Sequence, residues 1–213
     1  MAKVKSGFGL GLSGRFGDHV YTQQPDGSTT ISNVPEPSSK PRTNAQHAVI
    51  QDTQLCSAFF NPIQYVLKVG FELEKKKGNG NNLAVAHLRK NGGLTGVYPN
   101  RQIDYSKVLL SRGKMPPPEN AAVTVTDIGF SFTWDTHVEA RNTHYSDQVM
   151  LVATFPELQK AVFVTGGPQR YDGTALLVPN GIRRGATAQI YMSFIANNHK
   201  SMSNSIYLGE VNW

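Results

Sequence analysis

From position 119 onward, apolar side chains recur at every second position in short runs. The runs are Val123/Val125, Phe130/Phe132/Trp134, Val149/Leu151/Ala153, Val162/Val164, Ala175/Leu177 and Ile190/Met192/Phe194, followed by Ser205-Ile206-Tyr207-Leu208. Turn-forming residues separate them at Asp135-Thr136, Pro156-Glu157, Gly166-Gly167-Pro168, Pro179-Asn180-Gly181 and Asn197-Asn198. Short alternating runs at such spacing predict half-buried antiparallel strands. Seven of them predict an immunoglobulin- or fibronectin-like antiparallel β-sandwich over residues 118–213. The cysteine pair of antibody domains is absent, so the prediction concerns architecture alone.

Residues 41–117 carry a helical pattern instead. Thr43 is a good N-cap and Gln46, three residues on, completes a capping box. Ala45, Val49, Leu55, Phe59 and Phe60 form the stripe of a first helix, interrupted by Gln51, Asp52 and Gln54. Asn61-Pro62 reads as the cap and first turn of a second, running through Ile63, Val66, Leu67 and Phe71. Lys75, Lys76 and Lys77 then fall in its last turn, where positive charge complements the helix dipole. A third helix is predicted from Leu83 to Lys90, closed by Asn91-Gly92-Gly93, and a strand from Ile103 to Leu110. Met115-Pro116-Pro117-Pro118 marks a boundary.

Residues 1–40 follow neither period. Glycine at every second or third position opens them, and Asp18–Thr22 and Ser28–Ser32 read as two strands around Gln24-Pro25-Asp26-Gly27. Proline presets φ and glycine accepts a positive φ, so the turn is well specified. An isolated hairpin is marginal in water. The segment therefore reads as an arm that needs something to pack on, joined to the rest by the proline-rich linker Pro35–Pro41. The fold class is α+β: hairpin arm, small helical segment, sandwich.

Composition narrows the chemistry. The chain has 213 residues and a formal net charge of +6. No run approaches the roughly 18 apolar residues that cross a bilayer, so no membrane span is expected. A single cysteine, Cys56, excludes an internal disulfide and a multi-thiolate zinc site, and fits a small core residue in a reducing cytoplasm. The opening charges Lys3 and Lys5 resemble a signal-peptide n-region, but the glycine-rich stretch after them is too short for an apolar core, and secretion by that route is not expected. Residues 1–114 carry 15 basic and 7 acidic side chains, residues 115–213 carry 6 and 8. The imbalance reads as a basic assembly segment beside a near-neutral outer domain, not as a nucleic-acid signature.

No catalytic motif survives inspection. Gly9-Leu10-Gly11-Leu12-Ser13-Gly14 has the dinucleotide spacing, but a hairpin follows it where a helix is needed. Ser111-Arg112-Gly113-Lys114 has the serine–lysine spacing of acyl-transfer enzymes, yet glycine and three prolines deny it a helix. His137 and His144, with Asp135, Glu139 and Asp147, form the best candidate for a metal or acid–base cluster, without any metal-ligand spacing. No catalytic, cofactor-binding or metal residue is assigned, and no cofactor is expected. Lys75, Lys76 and Lys77 are candidate polyanion contacts, with Arg89-Lys90 and Lys3/Lys5/Arg15 as further phosphate contacts, for weak non-specific nucleic-acid binding.

Several stretches carry a resemblance. Met1-Ala2-Lys3-x-Lys5-Ser6-Gly7, Leu12-Ser13-Gly14-Arg15-x-Gly17-x-x-Val20 and Lys40-Pro41-Arg42-Thr43-x-Ala45-Gln46 resemble a family of uncharacterised bacterial proteins. So do Leu94-Thr95-Gly96-x-Tyr98-Pro99, Ile103–Gly113 and Ser205–Gly209. The stretch Thr29–Ser32 departs from that pattern, lacking its basic and aromatic residues. The opening is also similar to those of tailed-phage and prophage proteins. This resemblance implies a non-enzymatic structural component of a multi-subunit assembly, a bacteriophage or prophage virion protein made in the bacterial cytoplasm. Its partners would be itself or other subunits, and its docking arm would use Gly7, Gly14, Arg15, Gly17 and Tyr21. The alternative is a carbohydrate- or surface-ligand-binding module that uses Tyr145 and Tyr171 in the sandwich loops, with Trp134 read as core.

Overall fold

The computed structural model describes residues 2–7, 9–36, 40–137 and 143–213, and the side chains of residues 75–77 lie outside that description. The chain forms two compact units, one up to Arg42 and one from Thr43 to Trp213.

In the first unit, the two strands expected around the Pro-Asp-Gly turn are β3 (His19–Gln23) and β4 (Thr29–Asn33), after β1 (Ala2–Val4) and β2 (Gly14–Phe16). The four make an antiparallel sheet in the order β1-β4-β3-β2. The two outer strands are three residues long, too short to show a period, and so the opening reads as an unstructured arm from sequence.

The second unit opens with α1 (Asn44–Phe60), capped as expected: Thr43 Oγ1 accepts from Gln46 N at 3.3 Å and Gln46 Oε1 from Thr43 N at 2.9 Å. Asn61 does not cap a new helix. It stays in the α conformation, donates its N–H to Ser57 O and leads through one 3-10 turn into α2 (Gln64–Gly70). The expected lysine-tipped continuation is instead a separate 3-10 helix, Glu72–Lys77. The third helix, α3 (Gly80–Lys90), is capped by Asn79, whose Oδ1 accepts from Asn81 N at 2.9 Å. The strand expected from Ile103 to Leu110 is also broken. Only β6 (Gln102–Ile103) pairs, with β5 (Leu94–Thr95), because Asp104 caps a 3-10 turn at Tyr105–Lys107.

The loop between β5 and β6 is clipped to α1. Arg101 grips Asp52 with Nε at 2.7 Å and Nη2 at 2.8 Å, and His47 stacks on Tyr98 at 5.3 Å. Gly96 sits at φ +82°, and a Cβ there would run into the Asn100 carbonyl, so this turn needs glycine.

All seven alternating runs are strands: β7 (Ala122–Val125), β8 (Phe130–Thr133), β9 (Gln148–Phe155), β10 (Lys160–Gln169), β11 (Thr174–Leu177), β12 (Thr187–Ile195) and β13 (Ile206–Asn212). They form two antiparallel sheets, ordered β11-β8-β7 and β10-β9-β12-β13. One core lies between the sheets and gathers Phe130, Phe132, Leu151, Phe155, Ile190 and Phe194. A second core lies on the other face of the four-stranded sheet. There Met150, Val152 and Tyr191 meet Phe59, Phe60, Ile63, Leu67 and Leu88 of the helical segment. Each large apolar side chain buried in this way contributes about 1.5–3 kcal/mol. The helical segment expected at 41–117 and the segment 118–213 thus share a core, and the four-stranded sheet is covered on both faces.

Candidate functional sites

The arm residues come together on one small sheet. Gly14 lies opposite Tyr21, which lies opposite Ile31, which lies opposite Ala2, so this row shares one face. Arg15 takes the opposite face, with its Nε donating to Gly17 O at 3.1 Å. Gly17 opens the two-residue turn between β2 and β3 at φ +58°. Gly7 stands apart, in a loop of two successive turns, Leu10 N to Gly7 O and Leu12 N to Gly9 O. That loop covers Thr29, whose Oγ1 accepts from Gly11 N at 2.9 Å.

The described residues buried in this unit are Gly9, Ser28 and Thr29, none of them a large apolar side chain. Leu10 is 47% exposed, Leu12 44% and Phe16 79%. Polar contacts therefore brace the sheet. Lys3 Nζ bonds Asp26 Oδ2 at 2.7 Å and ties the edge strand β1 to the β3–β4 turn. Lys3 and the Ser28 hydroxyl and N–H together hold the Asp26 carboxyl well below the usual carboxylate range.

A second candidate lies at the loop end of the two-sheet core. Tyr145 and Tyr171 are both exposed there and are joined through Tyr171 N to Tyr145 O at 3.2 Å. Beneath them Trp134 is a core residue, with its indole N–H donating to Arg170 O at 2.8 Å. The Arg170 guanidinium is buried 3.7 Å over the Phe194 ring. Its Nε lies 3.4 Å from Asp147 Oδ2, which also accepts from His144 N at 2.9 Å. Burial lowers the Arg170 pKa, and Asp147 opposes that shift. A cavity of about 120 Å³ opens beside the guanidinium, lined by Glu119, Asp135, His137, Thr143 and two prolines.

The expected acidic and histidine cluster is thereby divided. Asp135 and His137 face the cavity, Asp147 is sequestered with Arg170, and Glu139 lies outside the described residues. Among the described residues no group of three or more His, Cys, Asp or Glu could hold a metal ion. The Arg170–Asp147 pair escapes sequence reasoning because the residues stand 23 apart on two strand ends, with no short-range spacing to find.

The remaining candidates have structural surroundings. The backbone of Lys75–Lys77 ends a 3-10 helix, while the side chains lie outside the described residues. Arg89 donates to Thr53 Oγ1 at 3.0 Å. Ser111 donates its hydroxyl to Ser203 O at 2.9 Å, so it braces two segments far apart in sequence. The Cys56 thiol is buried, and burial pushes its pKa up. The glycine motif at 9–14 lies between two strands, with no helix to receive a pyrophosphate. No described helix is long and apolar enough to cross a membrane.

No curated protein and no solved structure matches this chain. One family model does, over residues 13–209, which takes in most of the arm sheet, the helices, six strands of the double core and the first half of the seventh. The chain therefore belongs to DUF6266, a family of unknown function.

Proposed function

We propose that the protein is a non-enzymatic structural subunit of a multi-subunit assembly, and that it docks on a second copy of itself through the N-terminal sheet. The observation that carries this reading is the composition of that sheet. It is a compact unit with Leu10, Leu12 and Phe16 in solvent and, among its described residues, no large apolar side chain buried. Four short strands of this kind gain little from their own burial and gain more when a partner covers them. The outer strands β1 and β2 also present unpaired backbone groups, to which a neighbouring strand can add. The similarity of the opening to tailed-phage proteins makes a bacteriophage or prophage virion the assembly we propose.

Sedimentation of the purified chain tests this. The full-length protein should associate with rising concentration. Residues 43–213 alone, which hold both large cores, should fold and stay monomeric, and Phe16→Glu in the full chain should shift it towards monomer. A full-length chain that sediments as a monomer at every concentration overturns the reading.

A second reading, a carbohydrate-binding module, draws on the exposed pair Tyr145 and Tyr171. Aromatic faces stack on sugar rings, and the adjoining cavity offers carboxylates to hydroxyl groups. The strand order supports this architecture as an immunoglobulin/fibronectin-like sandwich in which the fourth strand joins the third, whereas in constant immunoglobulin domains it joins the first, second and fifth. Glycan-array binding lost in both Tyr145→Ala and Tyr171→Ala supports the module, and an array with no bound glycan removes it.

A further inference from the structure

A groove of about 670 Å³ opens where three stretches of the second unit, far apart in sequence, converge: Leu73–Glu74, Arg112–Lys114 and Lys200–Asn204. Its floor is rigid. Gly113 N donates to Asn204 Oδ1 at 3.1 Å, and Met115 N to Met202 O at 3.0 Å. A Cβ on Gly113 would run into the Met202 carbonyl, so only glycine lets these two segments close up. On this floor stand three cations, Arg112, Lys114 and Lys200. Arg112 has 51% of its side chain in solvent, and both lysines are exposed.

One carboxylate faces them. Glu74 lies 3.6 Å from Arg112 Nη1, with its side chain 18% exposed, so the groove keeps an excess of two positive charges. The His87 imidazole pKa is lowered, by burial first and by Arg112 next.

We infer that this groove binds the phosphates of a nucleic-acid duplex, by charge alone. Three cations on one open floor suit phosphate groups, and neutralising them releases counterions. Among the described residues no aromatic side chain lines the groove, so they offer no platform for unstacked bases. Contacts confined to the backbone carry no sequence preference.

The test is fluorescence anisotropy of the full-length protein with a labelled mixed-sequence 20-base-pair DNA duplex, between 50 and 200 mM salt. Binding is expected in the non-specific range of about 10⁻⁴–10⁻⁶ M, with a log–log salt slope near −2.7 for three neutralised phosphates. The exposed double variant Lys114→Glu/Lys200→Glu should weaken binding at least about tenfold and flatten the slope by about 2 units, with an unchanged circular dichroism spectrum. Arg112→Ala should flatten it by about one more. A second duplex of unrelated sequence should bind equally. Duplex binding untouched by the double variant overturns the inference. So does tighter binding of a single strand of the same length, or groove-dependent binding of a labelled heparin oligosaccharide by a protein that leaves the duplex free.

Discussion

Arg170 shows how one residue can join two parts of a core. Its guanidinium lies on Phe194, faces Asp147 and accompanies Met115 Sδ at 3.7 Å, while its carbonyl accepts from Trp134. Arg170 and Asp147 are 4% and 1% exposed. An ion pair so deep is costly to desolvate and costlier to break. Arg170→Ala would leave the Asp147 charge buried alone and should destabilise the protein by about 3–5 kcal/mol in urea unfolding. The apolar double replacement Arg170→Met/Asp147→Leu should recover much of that loss, since it removes the stranded charge as well. Equal losses in the single and double variants would mean that packing on Phe194, not charge, accounts for the effect.

At the scale of elements, most of the strands were legible and their surroundings were not. Alternation at Phe130/Phe132 and Ala175/Leu177 located β8 and β11, whose burial indeed alternates. Strands β9 and β12 differ. Val149-Met150-Leu151-Val152-Ala153 is an unbroken apolar run, the mark of a strand covered on both faces. Read as alternation, it concealed the face that receives the helices. The Asn61-Pro62 dipeptide suggested a helix start, yet the packing of Phe59, Phe60 and Ile63 in one core keeps the chain helical through it. The groove cations lay beyond any sequence argument, because Arg112 and Lys200 are placed together only by the contact of residues 111–115 with 202–205.

The same two-faced sheet sets a response to alkali. Tyr191 is buried on β12, and its hydroxyl donates to Tyr105 O at 2.9 Å. Tyr207 on β13 bonds Gln189, which bonds Glu210. Burial raises the pKa of Tyr105 and Tyr207, and that of Tyr191 well above its ordinary value. Unfolded tyrosines release their protons near about pH 10, while these retain theirs. Their contribution is therefore whole below that pH and lost as pH rises through the folded values. Urea midpoints measured upward from pH 8 should hold steady and then fall above about pH 10. Tyr191→Phe should flatten that fall. A midpoint equally steep in the variant would assign it to other groups.

At the scale of the whole molecule, the two units divide the work. The first has strands, turns and polar braces with no apolar core among its described residues, and the second has two cores on either side of one sheet. The border suggested by three prolines falls inside the second unit, where Met115 is itself a core residue. Charge does not follow that border either. The cations of the groove come from both the basic and the near-neutral part of the chain.

A sheet covered on both faces also has a consequence for synthesis. The helices leave the ribosome first, yet Met150, Val152 and Tyr191, which they pack against, are made much later. At about 5–20 residues per second, Phe59 and Phe60 wait roughly 7–26 seconds for Tyr191 to be added. Through that interval the nascent helices have their apolar stripe uncovered, and a chaperone that shields such stripes has its longest opportunity to act there.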